Sequence, residues 1–186
     1  MTMTTSPKGA FALACHEGIV PGPYLDSVGV PTWGVGHTKA AGAPDPAVLP
    51  VGMPANLDAA LAACLAAFRA DLRRYEAAVA AAVKVPVAQH EFDALVSFHY
   101  NTGAIGRAWL VAALNRGDRV GAATGFMNWI KPPEVIGRRK KEQALFRDGT
   151  YPAGPVNVWQ VTTARRVVFR PIRSLTLSQF LAAFGV

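Results

Sequence analysis

The chain of 186 residues is 51% hydrophobic and carries a formal net charge of +7. This length allows one sizeable domain or two small lobes that share a core. No apolar run reaches the roughly 18 residues of a transmembrane helix, so we expect a globular protein without a membrane span. Two cysteines, Cys15 and Cys64, are too few for a disulfide-stapled mini-domain, and we expect two free thiols.

A short helix is predicted near the N-terminus. Ser6-Pro7 is a typical helix start, and Pro21-Gly22-Pro23 is expected to end the helix. Lys8 followed by the apolar run Gly9–Cys15 resembles a signal peptide only weakly, because the run is at the lower limit of the roughly 7–15 residues that an export signal needs. Cleavage there would leave Glu17 without its helix, so we expect no signal peptide.

Residues 24–38 are predicted to form short strands around a turn. Gly29 supplies the turn, and the strand that follows is loosened by glycines. Pro31 lacks a ladder donor, which favours an edge strand. Period-two alternation places Trp33 on the face opposite Thr32, so Trp33 is expected to pack inside the protein.

One long helix is predicted in the middle of the chain, between the N-cap Asn56 and Pro86. Its apolar residues recur at spacings of three or four along one stripe: Leu57, Leu61, Leu65, Phe68, Leu72, Tyr75, Val79 and Val83. Such a stripe indicates a helix with one buried face. About 26 residues would span roughly 40 Å, which is too long for one small lobe, so the helix is expected to connect two lobes.

The rest of the chain is predicted to form further helices and a β-rich tail. The predicted helices cover residues 87–100, 107–116, 118–129, 134–148 and 176–184. Between the last two, the tail contains the β-branched stretches VNVWQV and RRVVFRPIRSLTL.

The positive charge is concentrated at the C-terminal end. Residues 1–130 contain nine Lys or Arg and nine Asp or Glu, whereas residues 131–186 contain ten and three. A basic block of this kind either draws the protein to an anionic polymer or membrane surface or is only a solvated face.

Two carboxylates and a hydroxyl lie close together near the N-terminus. Eight residues separate Glu17 from Asp26, and five separate Asp26 from Thr32. Placed on a helix end, a loop and a hairpin, these groups can converge on one cleft. Cleavage of a glycosidic bond needs such a set, because one carboxyl group protonates the leaving oxygen and a second group handles the water or the sugar cation.

The segment from Glu17 to Thr38 resembles the active-site stretch of phage lysozymes of the T-even type, glycoside hydrolase family 24. The residues in register are Glu17, Gly18, Tyr24, Asp26, Gly29, Thr32, Gly34, Gly36, His37 and Thr38. Two further stretches are similar to that family, FDALVSFHYNTG at residues 92–103 and IGRRKKEQALFRDG at residues 136–149. The likeness covers about residues 10–150.

The resemblance implies an α+β, mainly α, lysozyme-like fold with two lobes. Residues 1–150 would be the catalytic domain. It would consist of a hairpin lobe at about 17–60, a linker helix at about 57–84, and a helical lobe at about 85–150 that includes the N-terminal helix. Residues 151–186 would be a basic C-terminal extension.

The resemblance also implies catalytic roles. Glu17 would be the general acid, in an apolar environment that keeps it protonated. Asp26 would stay ionised and, with Thr32, hold the attacking water or stabilise the sugar cation. Inversion at the anomeric carbon is implied, which requires a carboxyl separation of roughly 6.5–9.5 Å. No cofactor or metal ion is implied. Without the resemblance, Asp26 would be an ordinary turn residue and Thr32 an ordinary strand residue.

Four more residues receive supporting roles from the resemblance. Arg138 aligns with an arginine that reaches the catalytic glutamate. Asn101 either contacts substrate or that glutamate, or is a helix C-cap. His37 either pairs with Asp71 or only makes hydrogen bonds at the hairpin end. Gly34 would leave room for substrate beside the strand.

The predicted function is that of an endolysin, a muramidase that hydrolyses the β-1,4 bond between N-acetylmuramic acid and N-acetylglucosamine in bacterial peptidoglycan. Expected partners are glycan strands and, through residues 131–186, an anionic wall polymer or membrane surface. The protein is expected to be a monomer that binds no specific nucleic acid. It would be made in the host cytoplasm and reach the wall after holin-mediated release. The alternatives are a non-catalytic peptidoglycan-binding module and a lytic transglycosylase.

Overall fold

The computed structural model describes residues 3–185. Residues 1, 2 and 186, which fall within the predicted catalytic domain and extension, lie outside the described residues. The described chain is mainly helical, with seven α-helices and two small antiparallel sheets. The predicted α+β, mainly α class is therefore confirmed. Within the described range, none of the helices is both long and apolar enough to cross a bilayer.

The helices lie close to their predicted positions. They are α1 (Pro7–Glu17), α2 (Leu57–Ala82), α3 (Gln89–Thr102), α4 (Trp109–Asn115), α5 (Arg119–Gly125), α6 (Ile136–Asp148) and α7 (Leu177–Phe184). The strands are β1 (Val20–Leu25), β2 (Pro31–Gly34), β3 (His37–Thr38), β4 (Val156–Val161) and β5 (Val167–Leu175). The helix predicted over 118–129 is shorter than expected, because α5 ends at Gly125 and the chain continues as a 3-10 turn.

The chain divides into two compact units. The first, here called the helical unit, contains Met1–Leu13 and Leu72–Ala153. The second, here called the hairpin unit, contains Ala14–Asp71 and Gly154–Val186. Helices α1 and α2 each contribute residues to both units.

The helical unit has an aromatic core and a buried aspartate that accepts hydrogen bonds. Phe126 packs against Phe98 and Phe146, with ring centroids 5.5 and 5.6 Å apart. The carboxylate of Asp93 is buried and accepts hydrogen bonds from the Ser6 backbone N–H (2.9 Å) and the Tyr151 hydroxyl (2.7 Å). These hydrogen bonds hold the start of α1 against α3, because a buried carboxylate needs hydrogen-bond donors.

Helix α2 begins and packs as its sequence pattern predicts. The Asn56 Oδ1 atom accepts a hydrogen bond from the Ala59 backbone N–H at 3.0 Å, which is the geometry of an N-cap. Leu61, Leu65, Phe68, Leu72 and Val79 of the apolar stripe are buried. Cys64 is fully buried beside them as a free thiol.

The three-stranded sheet of the hairpin unit has the order β1-β2-β3. The prediction that Pro31 marks an edge strand is wrong, since β2 lies in the middle. Proline is tolerated there because it is the first residue of the strand. Pro21-Gly22-Pro23 does not simply end α1 but lies within β1, at a register shift between Val20 and Tyr24.

The β4–β5 hairpin contributes to the core of the hairpin unit. The Ile19 backbone N–H donates to the Asn157 carbonyl, and the Trp159 backbone N–H donates to the Ile19 carbonyl, both at 2.9 Å. Val156 and Val158 are fully buried. Strand β4 is therefore joined to the segment that leads into β1, and the hairpin is part of the hairpin unit.

Helix α7 should be a stability element, because Phe180 is fully buried and stacks on Phe184 with centroids 5.2 Å apart. We expect Phe180→Ala to lower the free energy of unfolding by about 3–5 kcal/mol, which is the usual cost of emptying a buried phenylalanine site. Val120→Ala is the control, since Val120 is 80% exposed. Urea unfolding measures both, and equal midpoints would show that α7 is not part of the core.

Candidate active site

Glu17 is the last residue of α1 and is half-buried. The helix ends there because Gly18 adopts a left-handed φ of +72°, a conformation that favours glycine. A Cβ atom on Gly18 would lie 2.2 Å from the Trp159 Nε1 atom, so no side chain fits. Backbone conformation and the contact with β4 together place Glu17 at the corner between α1 and β1.

Asp26 follows β1 and shapes the loop to β2. Its Oδ1 atom accepts hydrogen bonds from the backbone N–H groups of Val28 (2.9 Å) and Val30 (2.8 Å). This is the turn-forming use of aspartate. Within the described chain, the Oδ2 atom accepts no hydrogen bond, so only one of the two carboxylate oxygens holds the loop.

Thr32 lies in β2 and is only 3% exposed. Its hydroxyl donates to the Val30 carbonyl at 3.0 Å, which leaves the hydroxyl lone pairs able to accept. In the antiparallel register Thr32 is directly opposite Tyr24. Directly opposed residues point to the same face of a sheet, so Thr32 and Tyr24 share one surface.

Tyr24 connects the two carboxylates. Burial raises the pKa of the Tyr24 hydroxyl, and the negative charges of Glu17 and then Asp26 raise it further. A phenol that responds to both carboxylates must lie near both. The structure therefore brings Glu17, Asp26, Thr32 and Tyr24 together within the hairpin unit.

The sequence pattern predicts no role for Tyr24, although the residue belongs to the motif that resembles the phage lysozymes. Its place in the site depends on the register, in which Leu25 pairs with Pro31 and Tyr24 with Thr32. A register shift of one residue would send Tyr24 to the other face. The five-residue length of the loop between Leu25 and Pro31 could have indicated this register. The turn residue Gly29, however, does not by itself specify the length of the loop.

His37 forms a buried pair with Asp71. Its Nδ1 atom is 2.9 Å from the Asp71 Oδ2 atom, and its Nε2 atom is 3.0 Å from the Pro44 carbonyl oxygen. The two side chains are 2% and 4% exposed. Both alternatives left open by the sequence are realised, since His37 pairs with Asp71 and also bonds the backbone. Each ring nitrogen therefore lies within hydrogen-bonding distance of an oxygen.

The other face of the hairpin is filled by packing. Trp33 is buried, donates from Nε1 to the Pro21 carbonyl at 3.0 Å, and lies edge-on to His37. A Cβ atom on Gly34 would lie 3.5 Å from the Cys64 Cβ atom of α2. This is ordinary van der Waals contact, so α2 packs beside Gly34, and the expectation that Gly34 leaves room for substrate stays a prediction. Glycine is required there by its φ of +65°.

Arg138 and Asn101 belong to the helical unit. The Arg138 Nε atom donates to the Glu142 Oε1 atom at 2.9 Å, and its Nη2 atom donates to the Ser97 carbonyl at 3.0 Å. The Asn101 Oδ1 atom accepts a hydrogen bond from the Arg139 guanidinium. Asn101 lies inside the last turn of α3, whose C-cap is Gly103, so the C-cap alternative for Asn101 is wrong. Its contact with substrate, like that of Arg138 with Glu17, stays a prediction.

Comparison with known proteins identifies the family. The family model for phage lysozyme matches residues 14–146. The chain belongs to the phage lysozyme family. It is therefore a glycoside hydrolase of the lysozyme type, a peptidoglycan-hydrolysing endolysin that acts on the cell wall. Residues 147–186 lie beyond the stretch that the family model matches.

Individual relatives and solved structures agree with this assignment. The endolysin of Salmonella phage P22 is 33% identical over 150 residues, which cover 77% of this chain and 98% of that protein. A solved endolysin from Escherichia coli O157:H7 phage FAHEc1 has a TM-score of 0.65 and 31% identity, covering 82% of this chain and 98% of that one. The muramidase domain of SpmX from Asticaccaulis excentricus has a TM-score of 0.58 and 27% identity, covering 77% and 97%.

The proximity of Glu17 to Tyr24 in this lysozyme can be measured. Glu17→Gln removes one of the two charges that disfavour the phenolate, so the pKa of Tyr24 should fall toward its ordinary value of 10.0 while burial keeps it raised. An ultraviolet difference titration of each background against its Tyr24→Phe counterpart isolates this phenol. Glu134→Gln, an exposed glutamate of the helical unit, is the control. Identical titrations for both variants would show that Glu17 and Tyr24 are not neighbours.

The His37–Asp71 pair should contribute to stability. Asp71→Asn removes the carboxylate from a buried pair, and we expect a loss of about 3–5 kcal/mol in the free energy of unfolding. Asp58→Asn is the control because Asp58 is 81% exposed and its ion pair with Arg173 is at the surface, where such pairs contribute little. Urea unfolding compares the two variants, and similar losses would mean that burial of the pair is unimportant.

Proposed function

We propose that this lysozyme hydrolyses the β-1,4 bond between N-acetylmuramic acid and N-acetylglucosamine, with Glu17 as general acid and with Asp26 and Thr32 holding the attacking water. The observation that supports this most is the environment of Tyr24. Its phenol responds to the charges of both Glu17 and Asp26, and its cross-strand partner is Thr32. Two carboxylates that both affect one phenol can supply the acid and the base that inverting hydrolysis requires, and the Thr32 hydroxyl lies on the same face as that phenol.

Asp26 and Thr32 are suited to orient one water molecule. Asp26 is held by two backbone N–H groups through Oδ1, so its carboxylate is fixed before substrate arrives while Oδ2 can accept from water. Thr32 donates its proton to Val30, so its oxygen can accept the second hydrogen of that water. Fixing the nucleophile in this way lowers the entropic part of the barrier.

Glu17 on the other side would give its proton to the leaving oxygen as the glycosidic bond breaks. The water that attacks the anomeric carbon loses a proton to Asp26, and the configuration inverts because attack and departure occur on opposite faces. Tyr24 stays a neutral phenol between the two carboxylates and can donate one hydrogen bond. Arg138 and Asn101 would have the supporting roles that the family resemblance implies for them.

A lytic transglycosylase is the second candidate, because it also uses one acid and cuts the same bond. The water-holding geometry of Asp26 and Thr32 favours hydrolysis, since a transglycosylase closes the muramic acid ring on itself and needs no water. The products differ accordingly: hydrolysis leaves reducing muramic acid ends, and transglycosylation leaves 1,6-anhydro ends.

The proposal extends to partners and location. The protein acts as a monomer, is made in the host cytoplasm, and reaches the wall after holin-mediated release. Residues 131–186, which carry the whole excess of positive charge, contact an anionic wall polymer or membrane surface. Deletion of the C-terminal residues cannot test this partner cleanly, because Val156, Val158 and Phe180 are buried in the core.

Glu17→Gln tests the catalytic assignment. The amide has no proton to give, so turnover of purified peptidoglycan should fall by at least about 10²–10⁴-fold with the fold intact. Glu134→Gln, an exposed glutamate, should keep full activity. Mass spectrometry of the parent digest should find reducing muramic acid ends. Near-normal turnover by Glu17→Gln would refute the role of Glu17. Detection of 1,6-anhydro ends would show that the enzyme is a lytic transglycosylase and not a hydrolase.

A further inference from the structure

Strand β5 exposes apolar side chains on the surface of the hairpin unit. Phe169 is 81% exposed, Ile172 42% and Val168 37%. Trp159 pairs with Pro171 and Gln160 with Val168, so Phe169 and Arg170 form a bulge without cross-strand partners. The Phe169 ring lies edge-on to Trp159 at 5.7 Å, which supports the ring without covering it. We call residues 166–172 the β5 bulge.

The β5 bulge also presents positive charge without a counterion. Arg166 and Arg170 are exposed, and neither forms an ion pair with any acidic side chain in the described range. Arg173 differs, because it pairs with Asp58. Arg165 also differs, since its guanidinium donates to the Ala47 carbonyl at 2.7 Å. Residues 154–186 contain no Asp or Glu, so nothing in this segment offsets the two free arginines.

We propose that the β5 bulge docks the hairpin unit onto a bilayer surface that contains anionic phospholipid. This selects one of the two anionic partners in the proposed function and rests on that part of it. Arginine guanidinium groups bind lipid phosphates, and an aromatic ring can enter the boundary between headgroups and acyl chains. A purely polar wall polymer would use the arginines but would give the exposed Phe169 ring no apolar medium to enter.

Binding to vesicles tests this proposal in the Glu17→Gln background, so that the result does not depend on catalysis. The full chain should co-sediment with vesicles of phosphatidylcholine and phosphatidylglycerol and not with phosphatidylcholine alone. Raising the salt concentration should weaken binding. The double variant Arg166→Ala/Arg170→Ala should bind roughly tenfold to thirtyfold more weakly. Phe169→Ala should bind about tenfold more weakly.

Matched variants distinguish binding through the β5 bulge from attraction by the net charge of the protein. Arg73→Ala/Arg116→Ala removes the same charge from two exposed arginines of the helical unit and should keep vesicle binding. Trp109→Ala, an aromatic residue that is 49% exposed in the helical unit, is the control for Phe169. In the native background, the bulge variants should still cleave short soluble glycans at the parent rate.

Three outcomes would overturn the proposal. One is equal binding to neutral and anionic vesicles. Another is equal weakening by the two arginine doubles, which would mean that net charge alone attracts the protein. The third is absence of vesicle binding combined with binding to a purified anionic wall polymer that Phe169→Ala leaves unchanged. If the parent protein does not cleave glycans, the proposed hydrolysis is refuted. The result of the vesicle experiment does not depend on that outcome.

Discussion

The position of the Glu17 carboxyl group depends on one backbone contact, between the corner that follows Glu17 and strand β4. Ile19 exchanges two hydrogen bonds of 2.9 Å with β4, through Asn157 and Trp159. The Trp159 indole lies where a side chain on Gly18 would be. The contact determines where α1 stops and β1 starts, and therefore where the Glu17 carboxyl lies. Because the C-terminal hairpin supplies β4, residues outside the stretch matched by the family model support Glu17, the proposed general acid.

Asp26 has a structural role in its loop and a proposed role in catalysis. Its Oδ1 atom is bound by two backbone N–H groups and holds the loop, so the position of Oδ2 follows from the backbone. The same loop determines the register that puts Tyr24 opposite Thr32. The turn-forming role of Asp26 is consequently compatible with its proposed catalytic role, because the turn fixes the carboxylate in one position.

Buried charge is used in both units, with a different partner arrangement in each. In the hairpin unit, His37 and Asp71 form a pair in which the second imidazole nitrogen also finds an acceptor. In the helical unit, Glu142 lies between Arg138 and Arg139 and also accepts from the Ser97 hydroxyl at 2.7 Å. Desolvated charges of this kind are tolerated only when nearly every donor and acceptor is satisfied, so they demand one arrangement of their helices.

The sequence by itself determined what depends on local pattern. The apolar stripe of α2 with its Asn56 cap follows from helical periodicity, and the motif from Glu17 to Thr38 follows from spacing. Family membership and the lysozyme activity followed from that motif. Local rules failed at Pro31 and at Pro21-Gly22-Pro23, because the strand order and the register shift in β1 are set by pairing with distant segments.

Only the tertiary structure decided the rest of the site and the use of the C-terminal segment. Tyr24 was placed opposite Thr32 by cross-strand register, and Gly34 lies in contact with Cys64 of α2. Residues 154–185 looked like a basic extension because charge is visible in a sequence. Their structural role depends on long-range backbone hydrogen bonds to Ile19, and no local pattern in the chain specifies which edge a strand will join.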